Sequence, residues 1–278
     1  MIGTLYLVAT PIGNLEDITL RALKILKSVD LIAAEDTRHT LKLLNHFEIS
    51  KPLISYYEQN EKIKSEKLIS KLLEGKNIAV VSDAGTPGIS DPGEEIVKRA
   101  IKNNIKIVPI PGACALINAL IVSGMSTSEF EFIGFLSANK KDRKEKLEQI
   151  KYDTRTIILY EAPHRLKVTL EAIQEVLGDR KIVLVRELTK VYEEYIRGNV
   201  STVLEQIVDI KGEFVIILEG NVISKKELEI SNLNKKTLEE HYAFYVEQGI
   251  DKKEIIKKIA KDRNVSKNEI YQYFIKST

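Results

Sequence analysis

At 278 residues, 44% hydrophobic and 29% charged, the chain has the composition of a globular protein able to bury a real core, with length for two domains and a small third. A formal net charge of +2 argues neither for nor against a nucleic-acid partner, and the single cysteine, Cys114, excludes an internal disulfide and points to a reducing compartment. The first residues run straight into a strand pattern, and no apolar stretch is long enough to span a bilayer, so a cytoplasmic location is expected.

From Gly3 to Ile110, apolar strands alternate with amphipathic helices. Strands are predicted at 4–9, 31–34, 53–55, 78–82 and 106–110. Between them, Leu20, Ala22, Leu23, Ile25 and Leu26 recur at helical spacing, as do Leu68, Ile69, Leu72 and Leu73 further on. Glu74-Gly75 and Asn103-Asn104 supply stops, a helix is expected over 38–47, and another opens at Asp91 or Pro92. Such alternation implies mainly parallel pairing, with helices covering the faces. Pro111-Gly112 and a helix over 113–122 lead into a second set of strands near 131–134, 156–160, 181–186, 192–197 and 213–218. Helices are expected there at 165–177 and 201–208. Strands 181–186 and 192–197 lie too close for a helix between them, which predicts antiparallel pairing in this half.

After Gly220-Asn221 a short polar linker is expected, then three short helices. Thr237-x-x-Glu240, Asp251-x-x-Glu254 and Ser266-x-x-Glu269 have capping-box spacing, and Gly249 and Arg263-Asn264 are stops. Ile255, Ile256 and Ile259 are placed to face Val265, Ile270 and Phe274. The last two helices, joined by a short turn, resemble a helix-turn-helix. From Ser224 onward 12 basic residues stand against 9 acidic ones, a modest basic bias. The expected architecture is therefore two α/β domains, residues 1–113 and 114–222, with a cleft between them, and a trihelical domain over 233–278.

Three strand ends run into stiff loops: Thr10-Pro-Ile-Gly-Asn14, Ser82-Asp-Ala-Gly-Thr-Pro-Gly-Ile-Ser-Asp-Pro-Gly93 and Pro111-Gly-Ala-Cys114. Strand, glycine- and proline-rich loop, then helix is how α/β proteins build a site beyond the carboxyl ends of their strands. Neither a Walker loop nor a G-x-G-x-x-G fingerprint is present. The chemistry expected at Asp83–Ser90 is a ligand gripped by backbone groups at short range, with Asp83 accepting from a hydroxyl or amine. The segment Ala34-Glu-Asp-Thr-Arg-His39 places two acids, a hydroxyl, an arginine and an imidazole at a strand end, and the guanidinium of Arg38 suits phosphate. Tyr160-Glu-Ala-Pro-His-Arg165 and Arg186-Glu-Leu-Thr-Lys190 repeat the pattern, and Tyr160 offers a flat face to a base. The basic run 139–146 beside them could meet a phosphate backbone or simply face water. The four histidines, 39, 46, 164 and 241, have no metal-type spacing.

Taken together, these motifs resemble the bacterial small-subunit ribosomal RNA methyltransferases of the tetrapyrrole-methylase superfamily, which act on a cytidine 2′-oxygen of 16S RNA in the decoding region. The likeness spans residues 3 to about 220, with the motifs in matching order. It implies S-adenosylmethionine bound in the cleft, a homodimer, and 16S RNA or the small ribosomal subunit as partner. It places the cofactor at Pro11, at the loop carrying Asp83, Gly85, Pro87 and Ser90, at Cys114-Ala115, and at Tyr160. Cys114 departs from the small hydroxyl residues usual after the Pro-Gly turn. Substrate contacts fall to Arg38, His164, Arg165, Arg186 and Lys190. Glu35, Asp36 and Glu161 remain as candidate bases, and no metal is implied. Two other readings stay open: a tetrapyrrole-precursor C-methyltransferase, and a non-catalytic RNA-binding protein.

Overall fold

The computed structural model of the chain describes residues 1–207 and 212–276. Within them the chain forms two compact units, one comprising residues 1–148 and 155–219, the other residues 149–154 and 220–278.

The larger unit holds two five-stranded sheets. In the first, β1 (Thr4–Val8), α1 (Leu20–Ser28), β2 (Leu31–Ala34), α2 (Thr37–His46), β3 (Leu53–Ser55), α3 (Glu61–Leu73), β4 (Ile78–Val81), α4 (Glu94–Lys102) and β5 (Lys106–Ile110) alternate along the chain. The strands pair in parallel in the order β3-β2-β4-β1-β5. Helices cover both faces, and so β4 is buried at every residue, the continuous apolar run of a central parallel strand. Leu5, Ile78, Leu68 and Ile96 pack on one side, Val8, Ala79, Leu26 and Ile110 on the other.

The second sheet follows α5 (Ala115–Ser123). Its elements are β6 (Phe130–Phe135), α6 (Lys140–Gln149), β7 (Thr156–Glu161), α7 (Pro163–Leu177), β8 (Lys181–Arg186), β9 (Glu194–Asn199), α8 (Val200–Gln206) and β10 (Phe214–Leu218), with strand order β6-β7-β10-β8-β9. Among the described residues only β6 and β7 run parallel here, and β8 pairs antiparallel with β9 as the short connection requires. That connection is longer than expected, because Glu187 and Thr189 are left-handed, with φ of 52° and 66°, and strand pairing resumes only at Glu194. The helix expected over 201–208 ends at Gln206, and Val208 lies outside the described residues.

The helix expected to open at Asp91 or Pro92 begins instead at Glu94, behind Gly93. Gly93 takes φ 154°, a turn that only glycine adopts readily, so Asp91 and Pro92 stay in the loop.

The smaller unit contains four helices rather than three: α9 (Lys225–Asn234), α10 (Leu238–Glu247), α11 (Lys252–Asp262) and α12 (Lys267–Lys276). The polar linker is therefore helical, opened by a capping box in which Ser224 and Glu227 satisfy each other's backbone N–H groups. Thr237 and Glu240 form the same box. Asp251 and Ser266 cap in one direction only, each accepting from a backbone N–H. Ile255, Ile256, Ile259 and Ile270 form the core of this unit, with Val265 and Phe274 packed against them.

Candidate active site

The three glycine- and proline-rich loops are fastened to one another. Thr10 N–H donates to Gly85 O at 2.8 Å and Gly85 N–H to Thr10 O at 3.1 Å, a one-residue antiparallel bridge between the first and second loops. Thr10 Oγ1 donates to Ser82 O at 3.2 Å, and Thr86 Oγ1 reaches Ala113 O of the third loop at 3.1 Å. A Cβ on Gly85 would stand 3.3 Å from Ile12, and one on Gly112 would collide with Ala9 at 2.8 Å. Glycine is thus required where these loops approach most closely.

The loops form one wall of a cavity of about 910 Å³, near the upper end of the range of about 300–1,000 Å³ typical of small-molecule sites. The opposite wall comes from the second sheet: Phe135, Tyr160, Val185, Arg186 and Phe214. Tyr160 is locked in place, its hydroxyl oxygen accepting from Leu116 N–H at 3.1 Å and its ring edge-on to Phe132 and Phe135 at 4.9 and 5.7 Å. Burial raises its phenol, so it stays neutral. The bulge of β6 at Gly134, with φ 75°, lets that strand pass close to Ser90, whose Oγ would lie 3.3 Å from a Cβ there.

Carboxylates cluster in the interior. Glu35, Asp83, Asp91 and Glu213 all line it. Two cross-bonds tie the ends of β2 and β4 together: Asp36 N–H donates to Asp83 Oδ1 at 2.9 Å, and Asp83 N–H to Glu35 Oε2 at 3.4 Å. Burial raises the Glu35 carboxyl, with the charges of Asp83, Asp36 and Glu213 acting in the same direction. Asp91 is pushed up to about 7, first by burial and then by Glu35, against a lowering hydrogen bond from Ser82. Acids gathered in this way, with Glu35 and Asp91 raised by burial and by the charges of their neighbours, form a field suited to a cationic ligand.

Strain gathers at the same place. Among the described residues, six other than glycine have positive φ. Glu48, Asn104 and Asn264 each directly follow a helix C-cap, where the left-handed conformation satisfies the final carbonyls. Ser90, Glu187 and Thr189 terminate no helix. Ser90 and Glu187 line the cavity, and Thr189 lies between Leu188 and Lys190, which also line it. The segment 188–190 lies directly on the first loop, since a Cβ on Gly13 would be 2.7 Å from Lys190 Cγ and 3.0 Å from Leu188 O. Such conformations cost about 1–3 kcal/mol each and persist where the surroundings enforce them.

Of the residues singled out in the sequence, Pro11, Glu35, Asp83, Gly85, Ser90, Cys114, Ala115, Tyr160, Arg186 and Lys190 are brought together around the cavity. The others lie elsewhere, for identifiable reasons. Pro87 shapes its loop without lining the space. Asp36 is the N-cap of α2, accepting from Arg38 N–H at 2.8 Å and from its guanidinium at 2.7 and 3.1 Å, which holds its carboxyl far below the usual range. Arg38 is consequently turned to solvent, its side chain 88% exposed, instead of being directed at the cavity. Glu161 is fully buried: its carboxylate accepts from Thr169 Oγ1 at 2.5 Å and pairs with Arg165 at 3.2 Å. It is thus a packing element under α7 and cannot reach a substrate. Arg165 also donates to Leu136 O, while Arg143 donates to Ser137 O and Ala138 O, both at 3.1 Å. The two arginines clamp the segment that follows Phe135. His164 is exposed in the first turn of α7, outside the cavity. Arg186 and Lys190 line the space but are paired, Arg186 with Glu194 and Lys190 with Glu187 at 3.0 Å.

Asp91 and Glu213 were not evident as site residues. The Asp-Pro-Gly run mimics a helix start, and Glu213 lies one residue ahead of an apolar strand, where nothing local marks it.

A family model described as Tetrapyrrole (Corrin/Porphyrin) Methylases matches residues 4–204. The chain is 52% identical over 277 residues to "Ribosomal RNA small subunit methyltransferase I" of Bacillus subtilis, covering 99% of this chain and 95% of the relative. It is 51% identical over 276 residues to the protein so named in Halalkalibacterium halodurans, covering 98% and 94%. Among solved structures it is similar to a uroporphyrin III C-methyltransferase from Thermus thermophilus, with a TM-score of 0.57 and 18% identity, covering 78% of this chain and 97% of that one. At that identity the likeness concerns the fold.

Proposed function

The chain belongs to the tetrapyrrole methylase family and, within it, to the small-subunit ribosomal RNA methyltransferase I proteins, and on that premise we propose that it methylates a cytidine 2′-oxygen in the decoding region of 16S ribosomal RNA, with S-adenosylmethionine as donor. The observation that carries this reading is the carboxylate-lined cavity enclosed by three interlocked loops. A sulfonium and an ammonium on one ligand suit the field of Glu35, Asp83, Asp91 and Glu213. The glycines at 85 and 112 let the loops that wall the cavity pack on one another, and Tyr160 and Phe135 supply an aromatic side for an adenine or a target base.

Held in this cavity, S-adenosylmethionine would supply the methyl group to the ribose oxygen and leave as S-adenosylhomocysteine, and the hydroxyl proton would have to pass to an acceptor. The protein's share is alignment, exclusion of water and that acceptor. Glu35 is the acceptor we assign. It faces the cavity, the Asp83 N–H orients it, and burial raises its carboxyl, which makes it a stronger base. Asp91 lies on the same wall and feels the Glu35 charge. The pairs Arg186–Glu194 and Lys190–Glu187 stiffen the far side. A homodimer is part of the reading, supported by Ile117, Ile121 and Val122, which leave α5 with an exposed aliphatic stripe.

The test is mass-spectrometric mapping of ribose methylation in 16S RNA from cells with and without the gene, paired with transfer of labelled methyl from S-adenosylmethionine by the purified protein. One cytidine 2′-O-methyl group that depends on the gene is the expected result. Methylation of uroporphyrinogen in place of RNA, or RNA binding without cofactor binding, would replace the proposal with one of its rivals.

A further inference from the structure

We propose that one stripe of α2, Lys42 flanked by His39 and His46, is a phosphate rail that seats the RNA strand next to the nucleotide being methylated. The inference rests on the reading of the cavity as an RNA methyltransferase site and adds to it a substrate contact.

Residues 39, 42 and 46 are spaced i, i+3, i+7, which puts them on one side of the helix. All three are exposed, and all three line the cavity, whereas Thr40 and Leu44 on the other side are buried. Seven residues at about 1.5 Å each give a rail of roughly 10 Å, long enough for successive phosphodiester groups of one strand.

The pairing of cations singles out this stripe. Arg186 and Lys190, the other cations lining the cavity, are matched to Glu194 and Glu187. Arg38, on the same helix but outside the cavity, is matched to Asp36. Lys42 pairs with no carboxylate among the described residues, so its ammonium gains most from an arriving polyanion. The imidazoles on either side supply ring N–H donors, and His46 is braced edge-on against Phe47 at 4.7 Å.

Charge is therefore sorted by position. The carboxylates of the interior repel a phosphate backbone and attract a cationic methyl donor. The α2 stripe does the reverse, so a strand held there can present one ribose inward while its phosphates stay on the rail.

Filter binding across salt concentrations to a protein-free 16S RNA transcript, and to small ribosomal subunits from cells lacking the gene, tests the rail, alongside methyl transfer to the same substrates. Lys42→Ala is expected to weaken binding roughly three- to tenfold and to reduce the slope of log K against log salt by about 0.7–0.9, one phosphate contact. Lys42→Arg should restore both. His39→Ala combined with His46→Ala should weaken binding and leave the salt slope close to wild type. S-adenosylmethionine affinity, read by calorimetry, should change by less than about twofold in each variant, which shows that the fold and the cofactor site are intact. If the wild type methylates the transcript while the Lys42→Ala and double-histidine variants bind it with unchanged affinity and slope, the rail is wrong and the methyltransferase reading stands. A wild type that neither binds nor methylates the transcript or small ribosomal subunits from cells lacking the gene overturns both.

Discussion

The cavity and the helical unit treat buried polar groups in opposite ways. In the helical unit His241 is fully buried, yet its Nδ1 accepts from Arg263 Nε at 3.2 Å and its Nε2 lies 3.4 Å from Asp262 Oδ2. Asp262 also accepts from Tyr245 Oη at 2.5 Å, and Arg263 caps the carbonyls of Lys236 and Thr237 at 2.6 and 3.1 Å. Asp262, Tyr245 and Arg263 find partners within the network, which fixes how α10 and α11 pack, although His241 Nε2 itself makes no hydrogen bond. Around the cavity, Glu35 and Asp91 are half-buried and raised by burial and by neighbouring acids. Left-handed residues show the same contrast: Asn264 finishes a helix, while Ser90 and Glu187 line the cavity and end nothing. Polar burial among groups of opposite charge is architecture. Like-charged acids buried together, combined with backbone strain, mark the place where stability has been given up for chemistry.

The sharpest way to break this comparison is to neutralise acids of each kind. Glu35→Gln, which keeps the size and removes the base, is expected to slow single-turnover methyl transfer by about 10²–10⁴-fold with cofactor affinity largely retained. Glu161→Ala should act on the fold instead: it strips Arg165 and Thr169 of a buried partner and should cost about 3 kcal/mol in denaturant unfolding. A Glu35→Gln enzyme with a normal rate would remove the assigned proton acceptor.

In the helical unit, Asp262→Ala orphans the Tyr245 hydroxyl and should cost about 1–3 kcal/mol. Hydrogen exchange should localise the loss to α10 and α11, and S-adenosylmethionine affinity should not move. A loss of cofactor affinity in this variant would show that the contrast between the two regions is false.

The smallest effect concerns Asp91. Its carboxyl, pushed up to about 7 by burial and then by Glu35, carries a proton in the folded state that the unfolded chain has already lost by pH 5. Stability from this group is therefore present below about pH 4 and is lost as pH rises through 7. Asp91→Asn should raise Tm at pH 8 by about 2–4 °C, corresponding to ~1 kcal/mol, and the gain should fade toward pH 4. A gain equal at both ends would assign it to packing rather than titration.

Much of this was legible in the sequence wherever the physics is local. The Gly/Pro loops at 10–14, 82–93 and 111–114 could be recognised because close approach and stiff turns demand those residue types, and the Thr237–Glu240 box because capping is a four-residue event. Non-local relations were not. Glu161 reads as a strand-end acid, and only the packing of α7 shows that Thr169 and Arg165 bury it. Arg38 reads as a cleft cation until Asp36, two residues away, claims it. Helix α9 was hidden in a charged stretch that reads as linker, although Ser224 and Glu227 carried a box like the one recognised at 237. Asp91-Pro-Gly93 resembles a helix start, and the φ of Gly93 decides otherwise.

The central claim is that the acid-lined cavity binds S-adenosylmethionine, and calorimetric titration of the intact protein with that cofactor tests it most directly. One molecule bound per chain, displaced by S-adenosylhomocysteine, with stabilisation of about 2.7 kcal/mol at a hundredfold excess over Kd, is the predicted result. No heat of binding and an unmoved Tm at millimolar cofactor would contradict it.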